Sequence, residues 1–446
     1  MSSAAALIAT ARFGFAPRRG ELATVAREPR GWVRAQLDLP LLAPAAPLPP
    51  SRETVTATLE ARRLKRQQEA QGGTGRAEMR DELRRVYLAE VGARMNAAIF
   101  SDAPLQERLV HFWSNHFTVS ALRPVVRGFV GAFEREAIRP HVTGRFSDML
   151  LAVARHPAML FYLDNVQSIG PDSRVGQRRA KGLNENLARE ILELHTLGVD
   201  GGYTQADVES FARILTGWTI ARPNDPNPGS FRFVPQIHEP GAKTLLGKRY
   251  ADDGMAEGEA ALRDLARHPA TARHIARKLA IHFIADDPPP AAVERIARAF
   301  RDSDGDLKRV MQAVIDSPEA WERPFAKVRT PSELVIAACR IADLLPPPQG
   351  IVQSLRVLDQ PPFVAPSPAG WPDTASAWIS PESVVRRAEW AQAFADRLTD
   401  PPDPVELAAE TFGDALPEET LQAIRRAPSR RVGLALLVAA PEFQRR

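Results

Sequence analysis

The feature that most constrains this chain is an apolar period of three to four residues that recurs almost from end to end, interrupted by proline, glycine and short polar caps. Such a period places one apolar stripe on each helix, and many stripes in one chain can be buried only against one another. The stripes predict helices over residues 21–37, 52–66, 76–100, 104–117, 126–138, 145–155, 184–197, 204–216, 256–266, 270–284, 291–300, 306–315, 331–345 and 381–398, with more to the end. Strand signal is sparse. Only residues 218–250 carry short β-branched and aromatic runs between Pro, Asn and Gly, which predicts a small irregular hairpin or flap. The fold class is therefore mainly α, a multi-helix globular array with that flap attached.

Four corners share one device, a helix end followed by a proline that can open the next helix: His156-Pro157, His268-Pro269, Ser317-Pro318 and Ala440-Pro441. Proline suits the first helical position and pushes the preceding residue out of the α region. Their unequal spacing argues against a solenoid. At 446 residues the chain exceeds a single ordinary core. The expected units are an N-terminal helical region (1–100), a central core with the flap (101–330) and a C-terminal helical region (331–446). Stretches 41–51, 67–75 and 168–182 read as linkers or loops.

A formal charge of +4 over this length is weak, and the basic clusters at Arg62 to Arg66, Arg174 to Lys181 and Arg425 to Arg431 lack interleaved aromatics, so nucleic acid is not an expected partner. The single Cys339 lies in an apolar helical run and excludes an intrachain disulfide. No stretch is long and apolar enough for a membrane span, and the N-terminus lacks the pattern of a signal peptide. That absence reads as cytoplasmic.

Several stretches carry residues suited to chemistry. In 109–117 (L-V-H-F-W-S-N-H-F) the helix is apolar around most of its wheel, while Arg108, His111 and Asn115 form a narrow polar stripe and His116 points about 140° away from His111. In 184–197 Asn186, Arg189, Glu190 and Glu193 share one face; two carboxylates three residues apart can bind a hard cation or serve as acid and base. In 204–216 Thr204 and Asp207 read as a helix cap, with Trp218 beginning the flap. The loop 236–247 offers His238, Glu239 and Lys243 for ligand contact. His274, Lys278 and His282, four apart, form a stripe of three potential cations. Buried hydrogen-bonded histidines, an ion-paired helix face and an exposed edge are the plain alternatives. Hydrolase, zincin, dinucleotide, calcium-loop and kinase signatures are absent.

These residues give two expectations. In the first, a metal- or small-ligand-binding enzyme or accessory enzyme has its site between the His111 helix and the 184–197 helix. Glu190, Glu193 and His238 would be catalytic, Asn115, Asn186, Arg189, Trp218 and Lys243 would hold substrate, and His111, Glu190 and Glu193 would ligate a divalent metal. In the second, the same clusters are buried networks in a non-catalytic scaffold or export companion.

Taken together, R-F-G-F-A-P-R-R-G at 12–20, H-F-W-S-N-H-F at 111–117, P-A-M-L-F-Y-L-D-N at 157–165, N-E-N-L-A-R-E-I-L-E-L-H-T-L-G-V at 184–199, Y-T-Q-A-D-V through T-G-W at 203–218, H-E-P-G-A-K-T-L-L-G at 238–247, H-P-A-T-A-R-H-I-A-R-K-L at 268–279 and G-W-P at 370–372 resemble the bacterial domain of unknown function 1800 family over essentially the whole chain. The resemblance supports the helical fold and names no substrate or mechanism. It implies a partner of the domain of unknown function 1501 family, whose members look like exported, sulfatase-related proteins with twin-arginine signals. Co-export with such a partner would place the chain in the periplasm.

Overall fold

The computed structural model describes residues 3–69, 76–179 and 182–446. Within them the chain is mainly helical, with two small antiparallel hairpins. Residues 70–75 of the 67–75 stretch, and Lys181 of one basic cluster, lie outside the described residues.

Two of the four proline corners, His156-Pro157 and His268-Pro269, work through the preceding side chain, whereas Ser317 makes no cap bond and Pro441 opens a turn instead of a helix. His156 and His268 have extended backbones, and the ring Nδ1 of each accepts the amide two residues on, Ala158 N at 3.1 Å and Ala270 N at 3.2 Å. Histidine thus does at both helix starts what Ser or Asp usually does. Pro29 divides the expected 21–37 helix into Glu21–Val25 and Pro29–Ala35, with the Glu28 side chain accepting from Gly31 N. Pro157–Tyr162 is the helix that the His156-Pro157 corner opens, and Pro348–Val357 is a helix where none was expected. Two expected helices change pitch: Val130–Phe133 continues as a π-helix over Glu134–Ile138, and Asn186–Glu190 continues as one over Ile191–Thr196. A π-turn carries more residues per turn than an α-turn, so side chains beyond Glu190 leave the faces of an ideal wheel.

The flap is two hairpins. Strand β1 (Trp218–Ile220) pairs with β2 (Phe231–Phe233), and β3 (Lys243–Leu245) pairs with β4 (Lys248–Tyr250). Leu246 and Gly247 turn the second hairpin with φ of 51° and 76°, as a two-residue hairpin turn requires. Asp207 links this turn to the capped helix Gln205–Ile214: one carboxylate oxygen accepts Thr204 N at 2.9 Å and the other accepts Leu246 N at 2.7 Å.

One cluster of buried apolar side chains runs from Ala6 to Phe443. Buried arginines stitch distant segments across it. Arg340 donates to Ala16 O and Ile99 O, each at 2.7 Å, and Arg12 donates to Ala320 O at 2.7 Å. Backbone bonds between Lys327 and Arg446, at 2.8 and 3.1 Å, fix the last residues against the start of helix Pro331–Ile341. Among the described residues no helix is long and apolar enough to cross a membrane.

Candidate functional site: a lysine-lined cavity

A cavity of about 430 Å³ opens between helices Arg76–Phe100, Pro104–His116 and Pro269–Phe283, with segment 360–374 along its rim. That volume suits a small organic molecule. Apolar side chains, among them Phe112, Leu355, Phe363 and Trp371, supply much of the wall; Arg94, His111, Lys278, His282 and Asp373 supply charge or hydrogen bonds.

Asn115 builds the rim. Its Nδ2 donates to Trp371 O at 2.8 Å and its Oδ1 accepts Trp371 N at 2.7 Å, so both ends of the amide are used in holding the G-W-P segment. Gly370 allows the close approach: its φ is 82°, and a Cβ there would lie 2.4 Å from Asn115 O. Tyr87 Oη and Ser120 Oγ donate to Pro362 O and Ala365 O, each at 2.7 Å.

Most of the charged groups here already have partners. His282 Nδ1 lies 2.5 Å from Asp373 Oδ2 and its Nε2 lies 3.3 Å from Arg108 Nη1. Because arginine can only donate, the His282 proton sits on Nδ1 and points at Asp373. Glu333 pairs with Arg108 and, at 3.2 Å, with Arg446, while Arg108 Nε donates to Gly14 O at 2.6 Å. Burial alone would raise the Asp373 carboxyl, but His282, Lys327 and Arg446 hold it down at about 2. On the other wall Arg94 Nε donates to His111 Nε2 at 3.3 Å and Arg94 Nη1 pairs with Glu134 at 3.3 Å. Burial and the charges of Arg94 and Arg108 keep His111 neutral, well below its usual pKa. Its proton is therefore on Nδ1.

Lys278 is different. It lines the cavity, is partly buried, and among the described residues forms no hydrogen bond or ion pair, whereas Lys243, Lys248, Lys308 and Lys327 each meet a carboxylate. Burial lowers it to about 8, with Asp373 acting in the opposite direction. The histidines near it are committed elsewhere: His116 Nε2 meets His195 O at 3.1 Å and His274 Nε2 meets Leu194 O at 3.0 Å. Burial lowers His195 to about 3 and His274 to about 4, so this wall stays uncharged apart from the lysine.

The residues singled out from sequence divide among three places. His111 and Asn115 line the cavity. His238 and Lys243 lie in a separate buried network: His238 Nδ1 donates to Thr216 O at 2.7 Å, and Lys243 Nζ reaches His238 Nε2 at 3.2 Å, Glu257 Oε2 at 3.0 Å and Glu239 O at 2.6 Å. Trp218 packs beside it, in contact range of Gly258. Glu190 and Glu193 are partly buried and do not line the cavity, and Glu193 accepts from Tyr203 Oη at 3.3 Å. Burial and the neighbouring Glu193 raise Glu190. Arg189 pairs with Glu185 at 2.8 Å and Gln205 at 2.9 Å, and Asn186 is exposed. Among the described residues no hydrogen bond or ion pair links Glu190 or Glu193 to His111 or His238.

His238, Asp252 and Glu257 are the one His/Asp/Glu group, among the described residues, with potential ligand atoms within 4.8 Å of one another; His111, Glu190 and Glu193 do not form such a group. The Lys243 ammonium already lies on Glu257 Oε2 and His238 Nε2. The group is thus arranged about an internal cation. Asp373, Glu333 and Arg446, which set the electrostatics of the cavity, escaped the sequence reading; the available signal was a carboxylate following G-W-P and a Thr330-x-x-Glu333 cap.

The fold and cavity define a mainly helical protein with an open cavity of small-molecule size and, among the described residues, an unpartnered lysine amine in its wall. The chain belongs to the family described as protein of unknown function (DUF1800), whose profile matches residues 8–445. No curated protein and no solved structure matches it.

Proposed function

We propose that the protein binds a small organic molecule in the Lys278 cavity, as an enzyme or accessory enzyme. The ligand has an apolar body, to lie against Phe112, Phe363 and Trp371, and an oxygen-bearing group that meets Lys278. The observation that carries this reading is the unpaired lysine itself. An ammonium partly removed from water without a carboxylate is costly, and such groups cluster where a ligand completes them. The sequence expectation set the site between the His111 helix and the 184–197 helix; in this reading the His111 helix stays and the helix carrying Lys278 and His282 replaces the other.

The anionic aromatic dye 1-anilinonaphthalene-8-sulfonate tests it. The dye should bind saturably, one per chain. Ala369→Trp, at an exposed rim position, should weaken binding by about tenfold or more, as should Lys278→Met. Weak, non-saturable binding indifferent to both substitutions would overturn the proposal.

The partner reading has its own observation. Ile379, Val384 and Val385 are exposed at 44%, 50% and 56% around the start of helix Pro381–Asp396, a place where a protein of the domain of unknown function 1501 family could dock and carry the chain out of the cytoplasm. Co-purification lost on Val384→Asp would support it; unchanged co-purification, or none with the wild type, would count against it.

A further inference from the structure

We infer that Lys278 is a nucleophilic amine that forms an imine with an aldehyde or ketone seated in the cavity. The inference rests on the cavity reading above and adds the chemical class of the ligand and the bond it makes.

Three features of the geometry favour covalent capture over simple ion pairing. First, Lys278 has no carboxylate partner among the described residues, so no proton is held on it by a counter-ion. Asp373, the nearest candidate by its electrostatic effect, is already committed to His282 at 2.5 Å. Second, the charged groups that share the cavity, Arg94, Glu333 and Asp373, are each paired elsewhere, and the side chains on the lysine's own wall are apolar or neutral. Ile281, Phe112 and Trp371 line the same space, and the imidazoles of His116, His195 and His274 bond to carbonyls or sit buried and uncharged. Third, His111, on helix Pro104–His116, lines the same cavity and carries a free hydrogen-bond donor. His111 has its Nε2 occupied by Arg94, and its Nδ1–H has no partner among the described residues. Such a donor can orient a carbonyl oxygen while the amine attacks carbon. The lowered lysine, at about 8, leaves a useful fraction of free amine near neutrality.

The reaction balances without a further reagent. The Nζ lone pair attacks the carbonyl carbon and a C–N bond forms. The resulting carbinolamine loses its oxygen as water, which carries away both nitrogen protons and leaves a C=N bond. Addition of water reverses the step.

The test uses the full chain, benzaldehyde as the carbonyl probe and sodium cyanoborohydride to trap any imine, with peptide mapping to locate the adduct. Lys278 should be benzylated well before the surface residues Lys248 and Lys308, and 1-anilinonaphthalene-8-sulfonate should protect it. Lys278→Arg, which keeps the charge, should lose this early label while the other lysines react as before. Labelling of Lys278 no faster than Lys248 overturns the imine. If the dye still binds saturably in that case, the cavity reading stands and only the covalent step falls; if the dye does not bind either, both fall.

Discussion

Replacing Lys278 with methionine should make the protein more stable at neutral pH. The lysine sits at about 8, against an ordinary 10.5. Its folded pKa is below its unfolded one, so between those values the unfolded chain holds the proton that the folded chain has released. Stability therefore rises with pH through that window and is lowest below about 8. The difference of roughly 2.5 units, at about 1.36 kcal/mol each, sets an upper bound of about 3 kcal/mol on the strain at pH 7. Partial exposure reduces this, and methionine fills most of the same space, so the expected gain is about 1–2 kcal/mol. Urea unfolding at pH 7 and at pH 10.5 measures it: a higher midpoint for the variant at pH 7 that converges on the wild type at pH 10.5. Such a gain at the expense of binding is what a residue kept for function produces. A variant less stable at pH 7 would refute the reasoning, because it would mean that Lys278 has a compensating partner.

Lys243→Met should cost about 3–5 kcal/mol, since it leaves the buried Glu257 charge uncompensated, whereas the double variant Lys243→Met, Glu257→Leu should recover much of the loss; equal damage in both, by urea unfolding, would speak against the ion pair. Gly370→Ala should cost about 1–3 kcal/mol and weaken dye binding, because φ is 82° and the new Cβ meets Asn115 O; unaltered dye titration and thermal midpoint would show that the rim does not depend on that turn. His195 and His274 are depressed to about 3 and about 4, so the unfolded chain takes up protons as pH falls below 6.5 while the folded chain does not. Each should remove about 2 kcal/mol between pH 7 and pH 5. His195→Phe should lessen that loss, and an identical pH dependence of the urea midpoint in the variant would contradict it.

The sequence carried the helical array because each helix announces itself locally, by an apolar stripe and a cap such as Thr204 with Asp207. The flap was legible for the same reason. The site was only partly so. His111 and Asn115 could be placed on one polar stripe, but a wheel cannot say that the two bond to Arg94 and Trp371, the latter 256 residues away in sequence. The π-turn over Ile191–Thr196 changes where side chains beyond Glu190 point, and nothing in the apolar spacing reveals it. The stripe of His274, Lys278 and His282 was visible as three cations. Only packing shows that His282 answers to Asp373, that His274 caps the end of a neighbouring helix through Leu194 O, and that Lys278 alone is left open to the cavity. His156 and His268, placed by sequence only before the prolines of two corners, are helix caps.

The titration of Lys278 itself tests the central claim most directly. Competitive labelling with trace acetic anhydride, read lysine by lysine across pH, should give Lys278 a midpoint near 8 and lower its reactivity when 1-anilinonaphthalene-8-sulfonate is present. A midpoint near the ordinary lysine value of 10.5, with no protection by the dye, would contradict the assignment of this cavity as a ligand site.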